Sequence, residues 1–204
     1  MDGPEALASL VDVSHETLDR LQRFEALLCR WQRKTNLVGT DTLNAFWTHH
    51  VGDAAFLHAA APEVRDWTDI GSGAGLPGLV LAILAADRPE PGRFALVESN
   101  AKKCAFQRAA ILELGLREQV EIAIHNRRIE AYRTSDATVL TARALAALDR
   151  LIDHMVQLGV QRGLFLKGEN HAAEIAAARN KHRFSVETLP HPLRPGSVLL
   201  DIRV

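Results

Sequence analysis

Cysteine is scarce in this chain. Its 204 residues hold two, Cys29 and Cys104, far apart and in no metal-ligand spacing. That excludes a disulfide framework, predicts no metal site and points to a reducing, cytoplasmic compartment. No run approaches ~18 consecutive apolar residues, so no membrane span is expected. The first residues lack a basic stretch followed by an apolar run, so no secretory leader is read there. Charge of one sign is missing too: 24 Lys and Arg against 25 Asp and Glu leave a net charge of −1. Such a balance does not announce a nucleic-acid binder, although local patches matter more than the sum. No internal repeat occurs. No helix pattern presents an obvious exposed apolar face, which favours a monomer. The remaining composition, 47% hydrophobic and 24% charged, suits one good-sized domain or a domain with an appendage.

The most informative segment is Trp67-Thr-Asp-Ile-Gly-Ser-Gly-Ala-Gly-Leu-Pro-Gly78. It reads as a buried strand, a glycine-rich turn and the start of an apolar helix. Glycine lets the backbone turn tightly and a ligand come close, and Pro77 suits a first helical position. About twenty residues on, Phe94-Ala-Leu-Val-Glu98 reads as a second strand ending in a carboxylate. A glycine turn followed by an acid at the next strand end is how doubly wound α/β proteins hold an adenosine ribose. Glu98 could equally cap the helix that begins near Ser99, and the two roles are compatible.

The first ~60 residues read as helical. Ser14 is a candidate N-cap, with Leu18, Leu21, Phe24, Leu28 and Trp31 on one face. Asp41 can cap a second helix carrying Leu43, Phe46, Trp47, Val51, Ala54 and Leu57, which Pro62 ends. From Trp67 the rhythm alternates. Strands are expected at 66–70, 93–98, 120–125, 137–142, 163–167, 184–189 and 198–204. Helices are expected near 78–86, 102–114, 145–158 and 169–180, with an irregular connection near 127–133. Gly115 and Gly159 stand where C-cap glycines belong. The gap His191-Pro-Leu-Arg-Pro-Gly196 holds no helix, so the last two strands should form an antiparallel hairpin. The expectation is a helical extension over 1–62 and a Rossmann-like α/β core over 63–204, with five parallel strands and a terminal hairpin. By fold-level analogy this plan resembles class I S-adenosylmethionine methyltransferases.

Residues 73–78 also match G-x-G-x-x-G, the dinucleotide fingerprint. A pyrophosphate needs free N–H groups at the helix N-terminus, and Pro77 removes one. Asp69 ahead of the glycines gives Asp-x-Gly-x-Gly-x-Gly, a better fit to a methyltransferase turn. An NAD-dependent oxidoreductase and a non-catalytic adenosine-cofactor-binding protein stay as alternatives.

Six separated segments, in order, resemble one family, the bacterial RsmG (GidB) small-subunit ribosomal RNA guanine-N7 methyltransferases. They are Trp31-Gln-Arg-Lys-Thr-Asn-Leu37, His50 with Asp53, residues 69–78, Glu98-Ser-Asn-Ala-Lys-Lys-Cys-Ala-Phe106, Thr141-Ala-Arg-Ala144 and Lys167-Gly168. The resemblance implies S-adenosyl-L-methionine as cofactor and 16S ribosomal RNA of the small subunit as partner. It implies that Gly71, Gly73, Leu76 and Glu98 line the cofactor, that Ile129 and Glu130 flank its adenine, and that Arg143 completes the pocket. Leu76 stands where the family often has Phe, and His49-His50 replaces a more usual Arg-His.

Guanine N7 carries a lone pair and no proton, so that chemistry needs no general base and no covalent nucleophile. The chain accordingly lacks an Asn/Asp-Pro-Pro-aromatic motif and a Pro-Cys nucleophile. Holding the reacting atoms in line is then the main task. Asp69 and Glu130 are candidates to stabilise positive charge on the product base. Arg143, next to a buried strand, either pairs with a carboxylate such as Asp69 or reaches cofactor or RNA. Candidate RNA contacts are Arg33, Lys34, Asn36, His50, Lys102, Lys103, Arg127 and Lys167. Those after strand ends share the carboxyl edge of the sheet with the cofactor. His50 and Asp53, three apart on a helix, could join the extension to the core or line the substrate mouth.

Overall fold

The computed structural model describes residues 2–7, 9–134 and 138–204, with the backbone alone at 40 and 41. Seven strands form one sheet in the order β3-β2-β1-β4-β5-β7-β6. The strands are β1 Asp66–Ile70, β2 Arg93–Glu98, β3 Glu121–Asn126, β4 Val139–Ala142, β5 Arg162–Lys167, β6 Ser185–Pro190 and β7 Val198–Arg203. The first five are mutually parallel, and β7 lies antiparallel between β5 and β6. The expected five parallel strands and terminal hairpin are therefore present, with boundaries within two residues. Ala137, the expected start of β4, lies outside the described residues.

Seven α-helices are described: α1 His15–Gln32, α2 Thr40–Asn44, α3 Gly52–Ala60, α4 Gly78–Ala85, α5 Ala101–Glu113, α6 Leu148–Leu158 and α7 His171–Arg179. Ser14 caps α1, its Oγ accepting from Thr17 N at 3.0 Å. The second expected helix is not continuous. It breaks into α2, a π-helical turn at Phe46–Val51, and α3. Asp41 is not its cap, because the helix starts directly after Gly39. Pro77 sits just outside α4 rather than in its first position.

Side chains alternate across the sheet, so each central strand feeds two cores. Leu164 and Leu166 of β5 join the cluster formed by α1, α3, α4 and α5, while Phe165 joins the one under α6. Helix α4 is apolar on every side and wholly buried from Gly78 to Ala85. A helix of that kind must be covered all round. The sheet covers one side, and the extension covers the other through Leu21, Phe24, Val51, Ala54 and Leu57. Phe24 bridges the two parts, 6.1 Å from the Phe46 ring and 6.0 Å from Phe106 of α5, distances at which aromatic pairs attract.

Close approach of α4 to the sheet depends on Gly78. A Cβ there would collide with Leu96 of β2 and come within 2.8 Å of Asp69 Oδ2. Gly78→Ala is expected to lose about 1–3 kcal/mol of stability, the usual cost of overpacking. Urea denaturation of wild type and variant measures this, and equal midpoints would contradict the packing argument.

Candidate functional site

The carboxyl ends of β1, β2, β4 and β5 open into a cleft of about 1150 Å³. Its floor is the glycine turn. Gly71 and Gly73 adopt φ of 64° and 57°, values that a side chain resists. A Cβ on Gly71 would also lie 2.6 Å from Leu145 Cδ1. The turn is tied from three sides. Glu98 Oε2 accepts from Gly73 N at 2.9 Å, and Gln107 Nε2 of α5 donates to Gly73 O and Ser72 Oγ, both at 2.8 Å. Asp69 Oδ2 accepts from Gly78 N, the first amide of α4, at 2.9 Å. The amides of Gly75, Leu76 and Leu79 are spent on carbonyls of Ser72 and Gly75.

Gly71, Gly73, Leu76, Glu98, Ile129, Glu130 and Arg143 all line the cleft. Asp69 does not; it is 1% exposed and lies behind the turn as the anchor of α4. Glu98 combines both of its sequence readings, since its Oε1 also accepts from Asn100 N at 2.7 Å. The cap of α5 itself is Asn100, which accepts from the amides of Lys102 and Lys103.

The expected RNA contacts separate into three groups. Lys103 and Arg127 line the cleft, joined by Arg128, and none of the three side chains has an ion-pair or hydrogen-bond partner among the described residues. Arg33, Lys34, Asn36 and Lys102 are exposed but stand off its wall. His50 is buried, and Lys167 lines the cleft but is engaged by the protein's own acceptors. His50 is 1% exposed. Lys167 Nζ is held at 2.7 Å by both Glu174 Oε2 and the Ala146 carbonyl, because a largely covered ammonium needs acceptors.

Arg143 does not form the ion pair with Asp69 that its place in the sequence allowed. Its Nη1 donates to the His49 carbonyl at 3.2 Å and to His50 Nδ1, and lies 3.7 Å from Asp53 Oδ2. Burial, followed by the Arg143 charge, lowers the His50 pKa from 6.5 to about 3. The ring is therefore neutral and able to accept. Sequence reasoning missed Gln107, which an apolar helix pattern hides. It also missed Arg194 and His191. The antiparallel hairpin was itself the signal for these two, because its turn has to fall at the carboxyl edge of the sheet.

Comparison with known proteins follows the same lines. The family model described as GidB, rRNA small subunit methyltransferase G, matches residues 17–192. "Ribosomal RNA small subunit methyltransferase G" of Cereibacter sphaeroides is 42% identical over 204 residues, covering 98% of this chain and 96% of that protein. The protein of the same name from a Ruegeria species is 41% identical over 197 residues, covering 95% and 93%. Among solved structures, magnesium protoporphyrin IX methyltransferase from Synechocystis with bound SAM superposes with a TM-score of 0.59 at 16% identity, covering 95% of this chain and 98% of that one. A methyltransferase from Geobacter sulfurreducens gives 0.56 at 14%, covering 98% and 94%. These two similarities establish the fold.

Asp69 supplies a pH test. Burial, the largest cause, raises its pKa from 3.8 to about 7, against the opposing pull of the Gly78 amide and Arg143. Between those values the folded chain binds more protons at this site than the unfolded chain. The contribution of Asp69 to stability is therefore full below about pH 4 and declines as pH rises through about 7. Asp69→Asn keeps an acceptor for Gly78 and removes the titration. Its stability relative to wild type should increase from pH 5 to pH 8 in denaturant titrations; a constant difference would refute the shift.

Proposed function

This chain belongs to the rRNA small subunit methyltransferase G family, and we propose that it transfers a methyl group from S-adenosylmethionine to guanine N7 of 16S ribosomal RNA. The observation that carries this reading is the state of the α4 N-terminus. Pro77 has no N–H, Gly78 N is taken by the Asp69 carboxylate, and Leu79 N is taken by Gly75 O. A pyrophosphate would find these amides spent and a buried acid behind them, which counts against NAD. A nucleoside without phosphate does not need them.

The residues present fit S-adenosylmethionine. Glu98 uses one lone pair on each oxygen for backbone amides. A carboxylate offers about four acceptor positions, so ribose hydroxyls can still be received. Ile129 and Glu130 would flank the adenine beyond the β2 end, the apolar side chain of Ile129 facing a base. Arg143, at the end of β4, would take the amino-acid end. The cofactor, when bound, supplies a sulfonium-activated methyl group.

The chain's own residues then have three tasks: bind, orient and compensate charge. Guanine N7 brings its own lone pair, so no side chain has to remove a proton. Orientation falls to the rigid glycine turn and to Leu76 and Leu145 on the cleft wall. Positive charge appearing on the base can be met by Glu130, which lines the cleft. Asp69, buried behind the turn, does not line it. Lys103, Arg127 and Arg128 would hold backbone phosphates at the mouth.

Methyl transfer from the tritiated cofactor to small ribosomal subunits lacking the modification tests the activity. Digestion to nucleosides should give 7-methylguanosine, and another methylated nucleoside would overturn the N7 assignment. In thermal melts, S-adenosylhomocysteine should stabilise the chain and NAD should not. Replacing Arg127 and Arg128 together with Ala should weaken subunit binding. It should also flatten the slope of log affinity against log salt by about 1 for each phosphate the variant no longer neutralises. An unchanged slope would remove these arginines from the interface.

A further inference from the structure

The part of the cleft nearest the helical extension contains a charge cluster in which the family resemblance gives a task to Arg143 alone. At its centre is Asp53 of α3, 1% exposed. Two arginines and a histidine converge on it from two separate parts of the chain, the segment after β4 and the β6–β7 turn. Arg194, in the turn between β6 and β7, puts Nη2 at 2.9 Å from Asp53 Oδ1. His191, at the start of that turn, puts Nε2 at 3.2 Å from the same oxygen. Arg143, after β4, puts Nη1 at 3.7 Å from Oδ2. The tautomer of His191 follows from its other nitrogen. Nδ1 accepts from Leu193 N at 3.1 Å, which places the ring proton on Nε2, facing Asp53. A T-shaped contact with Phe56 at 4.9 Å holds the ring in place.

One carboxylate thus serves two guanidiniums, so the cluster keeps a net positive charge beside the cleft. The internal hydrogen bonds of the Arg143 guanidinium among the described residues all run through Nη1. Nη2 and Nε have no such bond, and Arg143 lines the cleft, where a ligand can meet them. Burying a guanidinium in this half-satisfied state is costly without a fixed counter-charge. Asp53 supplies that charge from the extension, while the neutral His50 ring and the His49 carbonyl fix the angle.

We propose that Asp53 is a positioning residue acting through Arg143: it holds the guanidinium so that its free edge receives the carboxylate of the cofactor's amino-acid end, with Arg194 sharing the same anchor. This inference rests on the proposed use of S-adenosylmethionine. It makes the extension part of the cofactor site and gives the hairpin turn a share in it.

Two ligands separate positioning from general support. S-adenosylhomocysteine carries the amino-acid carboxylate, and 5′-methylthioadenosine has the same nucleoside and thioether without it. In Asp53→Asn, calorimetry should show S-adenosylhomocysteine bound about tenfold more weakly, the scale of one charge-assisted hydrogen bond. Binding of 5′-methylthioadenosine should stay within about twofold of wild type. Equal loss for both ligands, or no loss for either, would overturn the proposal. Because Asp53→Asn leaves two partly buried guanidiniums without a counter-charge, its melting temperature should fall. Should it not fold, the pair Asp53→Asn with Arg194→Met removes one of those charges, and the same ratio of affinities is read on it. A wild-type chain that binds neither ligand would sink the cofactor reading itself, a result distinct from an unchanged ratio in the variant.

Discussion

The hydrogen bond from Gly78 N to the buried carboxylate of Asp69 governs the shape of everything around the cleft. It pins the first turn of α4 against the carboxyl end of β1. A charge-assisted bond of this kind is worth about 1.5–3 kcal/mol, while withdrawing a carboxylate from water costs several kcal/mol. The desolvation cost outweighs the bond, which is why Asp69 titrates at about 7 instead of near 3.8. The net effect is geometrical more than energetic. With α4 held there, Gly71 and Gly73 have to turn with positive φ, and the carbonyl of Gly73 meets Gln107 while its amide meets Glu98. A site usually offered to anions at a helix N-terminus is closed by the protein's own acid. On the proposed reading, this disfavours a phosphate-bearing cofactor before any other contact is made.

The helical extension follows from a different constraint on the same helix. Because α4 has no polar face, a bare α/β core would expose Leu81, Leu84 and their neighbours to water. Fully burying each such side chain is worth roughly 1.5–3 kcal/mol. Helices α1 and α3 provide that cover. Once there, they bring the π-helical turn with His49 and His50 to the end of β4, and α3 brings Asp53 to Arg143. Packing need and site construction thus share the same residues. Wide helical turns of this kind are frequent at functional sites, and here the His49 carbonyl accepts from Arg143.

This division explains what could be read from the chain and what could not. The strands were legible because they are short, mostly apolar runs bounded by turn residues. The glycine turn and Glu98 were legible because backbone conformations with positive φ restrict residue type. The break inside the second helix was not, since 40–60 keeps a helical spacing of apolar residues while its hydrogen bonds shift register. Nor were the pairings of charges. Lys167 reads as a cation at the sheet edge, and only the position of α7 shows that Glu174 neutralises it. Asp53 reads as a helix-surface acid, yet the β6–β7 turn buries it with Arg194 and His191. Contacts between residues distant in sequence depend on topology, and the topology itself was legible.

The same pairings decide which basic residues can serve RNA. Cations near the β4 and β5 ends are already committed, Lys167 to Glu174 and Arg143 and Arg194 to Asp53. Across the cleft, Lys103 at the start of α5 and Arg127 and Arg128 after β3 line the mouth with no internal acid claiming them among the described residues. Uncompensated positive charge lines the β2–β3 side through Lys103, Arg127 and Arg128, while on the β4–β5 side Glu174 neutralises Lys167 and Asp53 offsets one of the two guanidinium charges of Arg143 and Arg194. A balanced total of −1 is compatible with this arrangement, because what a nucleic acid meets is the uncompensated local charge within about a Debye length of the surface. On the proposed reading, a phosphate backbone would run along the α5 and β3 rim and turn one base inward toward the glycine turn.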